Sequence, residues 1–224
     1  MTFSIVARCT RTGQFGAAVA SSSPAVASRC IRARAGVGAV ASQNVTDPAL
    51  GNRALDLMEK GASAQQALDV LRSSSPHIEY RQLMLLGLKG PSAVFTGDKG
   101  LGLIGTAQGG DAACAGNLLA NTQVVPSMLA AFEATEGDLC DRLLAAMQQG
   151  QEQGGEAGPI HSAGVLVVDA QSWPIIDLRI DWAEHDPLEG LRKLWTVYAP
   201  QAQSYALRAL APAQAPSYGV AGDR

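Results

Sequence analysis

The sequence predicts an α+β protein in which two antiparallel β-sheets pack face to face with pairs of helices on their outer sides. Three observations carry that expectation. Helical segments arrive in pairs between sets of strands, whereas a parallel α/β sheet needs a helix after nearly every strand. The strand-like segments are separated by short turns rich in glycine, of which the chain has 24, as antiparallel connections require. A hydrophobic content of 47% with 17% charged residues over 224 positions suits one substantial core and excludes disorder for most of the chain.

The elements follow in order. Residues 2–8 and 14–22 are β-branched or small and flank Thr10-Arg11-Thr12-Gly13, so a hairpin opens the fold. Ser21-Ser22-Ser23-Pro24 ends its second strand, and residues 35–43 read as a third. Gly and Ala alternate with Val there, which lets another backbone or a ligand come close. Asp47-Pro48 opens a helix with Leu50, Ala54, Leu57 and Met58 at helical spacing up to Gly61. Ser63 caps a second helix through Ala64, Ala67, Leu68 and Leu71. Four strands are then expected at 80–88, 93–96, 103–108 and 112–119, followed by helices at 122–134 and 139–151. After the loop Gly154-Gly155-Glu156-Ala157-Gly158-Pro159 come strands at 162–168 and 175–180, and Asp186-Pro187 starts a helix running to Tyr198. Residues 1–198 are expected to form a single domain. The Ala, Pro, Gln, Ser and Gly of 199–224 are expected to form a flexible tail.

Several function classes recede. A net charge of −3 offers no basic field for nucleic acid. There is no run of about 18 apolar residues and no signal-peptide pattern, so neither a membrane nor export is expected and the protein is placed in the cytoplasm. Cys9, Cys30, Cys114 and Cys140 are too scattered for a zinc site and read as buried free thiols. Neither metal nor cofactor is expected. Gly100, Gly102 and Gly105 spell G-x-G-x-x-G, yet no helix opens at the third glycine, so the dinucleotide pattern fails its context. Ser162 resembles a nucleophile elbow but lacks the first glycine and enters a strand. His77, His161 and His185 each stand alone, and Asp177, Asp181, Glu184 and Asp186 suit capping and solvation. Arg29, Arg32 and Arg34 alternate, as on one face of an extended segment, either to hold an anion or simply as a solvated face.

One position offers chemistry of its own. Once Met1 is removed, as a small second residue permits, Thr2 presents a hydroxyl and an α-amine on the same residue. The amine's reference pKa of about 7.7–8.0 lets it take the hydroxyl proton near neutral pH. Gly116-Asn117 ends a strand of tiny residues, and an asparagine amide is a fair oxyanion donor.

Thr2-Phe3-Ser4-Ile5-Val6-Ala7, Ala18-Val19-Ala20-Ser21, the run 33–43, Glu79-Tyr80-Arg81-Gln82, Gly116-Asn117 and Asp177-Leu178-Arg179 occur in order. Together they resemble the DUF1028 family, bacterial and archaeal proteins of unknown function similar to N-terminal nucleophile (Ntn) hydrolases. The resemblance implies a four-layer αββα sandwich and a hydrolase that cleaves an amide bond of a small molecule or short peptide. It gives Thr2 the nucleophilic role and Asn117 the oxyanion. Ser21, Gln43, Tyr80 and Arg81 become cleft residues, Arg81 suiting a substrate carboxylate. It also implies a homo-oligomer. The chain departs from the family pattern at Ser21-Ser22-Ser23, where relatives carry Ser-Lys, and at His161, where a glutamine is expected. With Met1 retained the amine is blocked, and the alternative is a small-molecule binding protein on the same scaffold.

Overall fold

Alternation along the first strand sets the layers. In β1 (Thr2–Arg8) the odd positions Phe3, Ile5 and Ala7 are apolar and face one side, while Thr2, Ser4 and Val6 face the other. β1 pairs with β2 (Phe15–Ser21) and with β8 (Ala112–Asn117), every pairing in register and antiparallel. A computed structural model of the chain describes residues 1–220; positions 221–224, part of the expected tail, lie outside the described residues.

Among the described residues the strands form two antiparallel sheets. The first adds β7 (Gly105–Gln108), β9 (Ser162–Val168) and β10 (Ile176–Ile180) in the order β10-β9-β2-β1-β8-β7. The second runs β3 (Ile31–Arg34), β4 (Gly38–Asn44), β5 (Arg81–Gly87) and β6 (Ala93–Thr96) in chain order. Three cores separate four layers. Phe3, Ile5, Ala18 and Cys114 pack on α4 (Val124–Ala134), α5 (Leu139–Glu152) and α6 (Pro187–Tyr198) through Met128, Phe132, Leu143, Met147 and Leu191. Val6, Ala17, Val19, Ala39, Ala41, Met84 and Ala115 fill the space between the sheets. Val40, Leu83 and Leu85 pack on α2 (Ala49–Glu59) and α3 (Ala64–Ser74). The αββα sandwich is thus the solution in which each sheet buries both faces. A capping box of Ser63 and Gln66 starts α3. The four cysteines are buried and free, and no helix among the described residues is long and apolar enough to cross a membrane.

The expected third strand begins later than the sequence pattern suggests. Val37 N–H donates to Arg34 C=O at 3.1 Å, and Gly36 sits at φ 70°. Residues 35–37 therefore turn β3 back into β4. Two short elements precede them, α1 (Val26–Cys30) and β3 itself, too brief to display a period. After a 3-10 turn at Ala199–Gln201, residues 202–210 of the expected tail form a further helix, α7, none of whose residues is buried. Tyr205 stacks on Tyr198 with ring centroids 5.7 Å apart.

Gly38 is needed for β4 and β5 to approach. A Cβ there would lie 2.3 Å from Leu86 O and 3.2 Å from Gly87 Cα, and backbone cannot rotate aside as a side chain can. Gly38→Ala is expected to cost about 2–3 kcal/mol, measured by urea denaturation.

Arg8 closes the far end of β1. Its Nε meets Asp111 Oδ1 at 2.8 Å, while Nη1 donates to Gly87 O and Gly90 O and Nη2 to Gly110 O, each at 3.0 Å. One guanidinium thus joins the two sheets.

Candidate active site

The same alternation collects polar side chains at the opposite end of the sandwich. Thr2 and Ser4 of β1, Ser21 of β2 and Asn117 of β8 lie on the inward face of the first sheet. Gln43 of β4 and Gln82 of β5 lie on the inward face of the second. All six are buried, so each polar atom needs a partner inside the protein. Ser4 Oγ donates to Gln43 Oε1 at 2.5 Å, and Gln43 Nε2 donates to Gln82 Oε1 at 2.8 Å. Asn117 Nδ2 donates to the same Gln82 Oε1 at 3.2 Å. Gln82 Nε2 completes the set by donating to Gly116 O at 3.1 Å and Thr96 Oγ1 at 3.2 Å. Among the described residues only Asn117 Oδ1 in this network lacks a donor.

Gln82 is the hub. Gln82→Ala would take the acceptor from two buried donors, Gln43 Nε2 and Asn117 Nδ2. At roughly 1–3 kcal/mol for each orphaned group, a loss of at least about 2 kcal/mol is expected in urea denaturation.

Met1 covers Thr2. Thr2 is 5% exposed and Met1 37%. The Met1 carbonyl accepts from Thr2 Oγ1 and, at 2.5 Å, from Ser21 Oγ. Ser21 Oγ lies 3.4 Å from Thr2 Oγ1 and 2.9 Å from Ser23 Oγ. Arg29 Nη2 donates to Ser23 Oγ at 2.9 Å and to Pro24 O at 2.9 Å. A cation therefore reaches the Thr2 hydroxyl through two serines, in a chain without lysine at that place.

The loop after α5 supplies a carboxylate. Gly154 and Gly155 take φ 110° and 58°, a conformation that favours glycine at a helix end, and this turn directs Glu156 inward. Ala157 N–H bonds Leu118 O and Ala120 N–H bonds Gly155 O, which pins the loop to the chain leaving β8. Glu156 is 3% exposed, and among the described residues neither carboxylate oxygen has a hydrogen-bond partner. Burial pushes its carboxyl up to about 7, against the opposing pull of the N-terminal ammonium, of Ser22, whose polar groups face the carboxylate without meeting hydrogen-bond geometry, and of His161.

Residues 2–191 match the family described as a family of unknown function, DUF1028. The chain belongs to that family. The chain is similar to the crystal structure of protein SPO2555 from Silicibacter pomeroyi, assigned to DUF1028, at a TM-score of 0.83 and 29% identity over 91% of this chain and 94% of the other. Anbu, the ancestral beta-subunit from Yersinia bercovieri, aligns over 97% of this chain and 100% of its own at 14% identity, with a TM-score of 0.40. No curated protein matches.

Within this DUF1028 chain, Thr2, Ser21, Gln43 and Asn117 lie together at one end of the sandwich. Tyr80 and Arg81 do not join them. Arg81 has the opposite parity to Gln82, and its Nη1 donates to Val45 O. Tyr80 holds Asn44 Nδ2 through its carbonyl at 2.6 Å and carries Lys99 over its ring at 4.6 Å. Both shape the turn after β4. The Asn117 amide nitrogen, the expected oxyanion donor, is directed at Gln82, and the unpaired atom is its acceptor. Ser162 Oγ is bound on both sides, donating to Ser23 O at 2.6 Å and accepting from Val26 N at 3.2 Å. The arginines do not share one face either: Arg29 stands on α1, and Arg34 is paired with Asp56 and Glu59 at 2.8 Å each. Asp186 caps α6 at Glu189 N, and Asp177 is paired with Arg179 at 2.7 Å. Ser4, Gln82 and Glu156 are the polar residues of this end that the sequence reading left out of the site.

Proposed function

We propose that the chain is an Ntn-type hydrolase cleaving an amide C–N bond of a small molecule or short peptide, with Thr2 as nucleophile once Met1 is removed. The carrying observation is the placement of the Thr2 hydroxyl, buried between the sheets beside Ser21 Oγ at 3.4 Å and directed at an acyl oxygen, that of Met1.

In the processed chain the Thr2 α-amine takes the Oγ1 proton as Oγ1 attacks the substrate carbonyl carbon. Charge develops on the carbonyl oxygen. Ser21 Oγ, which already donates to the Met1 carbonyl, suits the oxyanion role. Asn117, cross-strand partner of Thr2, is suited by its free Oδ1 to accept from the Thr2 ammonium, although its Nδ2 would serve the oxyanion if released from Gln82. Collapse breaks the C–N bond, the ammonium proton passes to the leaving amine, and an ester on Thr2 remains. Water then attacks the ester carbon, delivering its proton to the amine, and Oγ1 leaves as the ammonium returns that proton to it, freeing the carboxylic acid. Cytoplasmic location and self-association belong to the same proposal.

A second reading rests on Met1 itself. While its carbonyl is bonded to Thr2 and Ser21, the Thr2 nitrogen is an amide without basicity, and the scaffold is a binding protein.

Intact mass separates the two. Loss of Met1 together with a β-lactone adduct on Thr2 supports hydrolysis, and uniform retention of Met1 in active protein overturns it.

A further inference from the structure

Met1 occupies the site as a ligand would. Its carbonyl oxygen accepts from Ser21 Oγ at 2.5 Å and from Thr2 Oγ1. Its thioether tip lies along Gly158, where a Cβ would stand 3.2 Å from Met1 Cε and 3.8 Å from Sδ. Two residues before Gly158 is Glu156, 3% exposed and with both carboxylate oxygens unpartnered among the described residues. The N-terminal ammonium exerts the largest pull favouring the charged form of that carboxyl, though the two do not form a direct ion pair among the described residues. The carbonyl and side chain of one amino acid thus each have a protein counterpart, a hydroxyl and a glycine-lined slot, and a buried carboxylate without a partner among the described residues stands two residues from that slot.

The covalent relation strengthens the comparison. An acyl group on the Thr2 nitrogen and the same group on Thr2 Oγ1 are isomers related through a five-membered ring of acyl carbon, N, Cα, Cβ and Oγ1. The rest of the acyl group keeps nearly the same surroundings in both. Methionine attached to Thr2 therefore outlines what an acyl group on the proposed nucleophile would touch.

We infer that the space vacated by Met1 is an aminoacyl site, which binds amides of L-amino acids carrying a free α-amine and an unbranched apolar side chain. As a substrate assignment it rests on Thr2 being the processed nucleophile; as a binding site it does not. Removing Met1 moves the N-terminal charge back by one residue to Thr2, and a ligand ammonium puts a second cation where that of Met1 stood, beside the buried Glu156. An N-acetylated ligand brings no charge and leaves the carboxylate uncompensated. The scissile bond joins the aminoacyl carbonyl to the leaving amine, so the products are the free amino acid and that amine.

Thr2→Ala protein with Met1 removed, verified by intact mass, tests the site without the nucleophile. Calorimetric titration with L-methioninamide is expected to give at least tenfold tighter binding than with N-acetyl-L-methioninamide. Glu156→Gln is expected to bring the two within about threefold. Gly158→Ala, which fills the slot and leaves the carboxylate intact, is expected to weaken methioninamide relative to alaninamide, and it serves should Glu156→Gln fail to fold. Equal binding of free and acetylated ligands, or no binding of either, overturns the aminoacyl site. Turnover is read separately, with L-methionine p-nitroanilide and Thr2-containing processed protein. Amine-selective binding without turnover overturns Thr2 as nucleophile and supports the site. Thr2-dependent turnover with no preference for a free amine overturns the site and leaves the nucleophile standing.

Discussion

Thr2→Ala in protein lacking Met1 is expected to lower amide turnover by about 10⁴-fold, the scale seen when a nucleophile is removed from a catalytic unit. The side chain lost is small, and its hydroxyl is bonded to Met1 in the unprocessed chain, so folding stability should change by no more than about 1 kcal/mol. That contrast is the point of the variant, because activity and stability then move independently. Thr2→Ser keeps the hydroxyl and is expected to retain most of the rate. Inserting a bulky residue between Met1 and Thr2 blocks Met1 removal and should abolish turnover with the hydroxyl still present. Loss of the free amine and occupation of the site by the retained residues both lead to that result. The rate should rise with pH until the amine is neutral, near about 8 for an ordinary α-amine. Steady-state kinetics on an aminoacyl anilide, beside urea denaturation of the same preparations, measures both quantities. Wild-type turnover by Thr2→Ala would place the nucleophile elsewhere.

Glu156→Gln is expected to stabilise the unprocessed chain above neutral pH by about 3 kcal/mol, and to remove a pH dependence. The sign follows from proton binding. Burial raises the folded carboxyl to about 7 from an ordinary value of 4.5. Between those values the folded chain holds a proton that the unfolded chain has lost, so stability falls as pH rises through that window. Below it both states are protonated and nothing is lost. Above it the loss is complete, and the move from 4.5 to about 7 corresponds to about 3 kcal/mol. Glutamine carries no charge at any pH in this range, so its variant should show no such slope. Acetylation of the N-terminus should push the carboxyl still higher, since the ammonium is among the groups that lower it. Urea denaturation at pH 5, 6 and 8 reads these slopes.

Much of the sandwich was legible because both sheets bury both faces. Strand and helix runs are long enough to show their periods, as in β5, where Gln82, Met84 and Leu86 face one way and Leu83 and Leu85 the other. The five residues of α1 and four of β3 are not. Their conformation is set by Ala25 at φ 51° and by pairing with β4, neither of which leaves a pattern in the chain. Thr2 and Asn117 stand out by their own chemistry, whereas Ser21 and Gln43 enter only through the family resemblance. Gln82 belongs to the same motif as Arg81 and, one position away, must face the opposite way, but only the Gln43↔Gln82 register makes it the hub. Glu156 left no periodic trace. Its inward turn depends on two left-handed glycines and on a bridge between Leu119 and Glu156, long-range geometry that no local pattern contains.

The two ends of the sandwich are held by different physics. At one end the Arg8 guanidinium, its side chain 14% exposed, binds Asp111, 39% exposed. At the other, amide and hydroxyl groups without formal charge join the sheets. Dissolved ions weaken the first contact and leave the second nearly untouched. The two sheets are therefore joined by a salt-sensitive contact at the Arg8 end and by neutral hydrogen bonds, indifferent to ionic strength, at the Thr2 end.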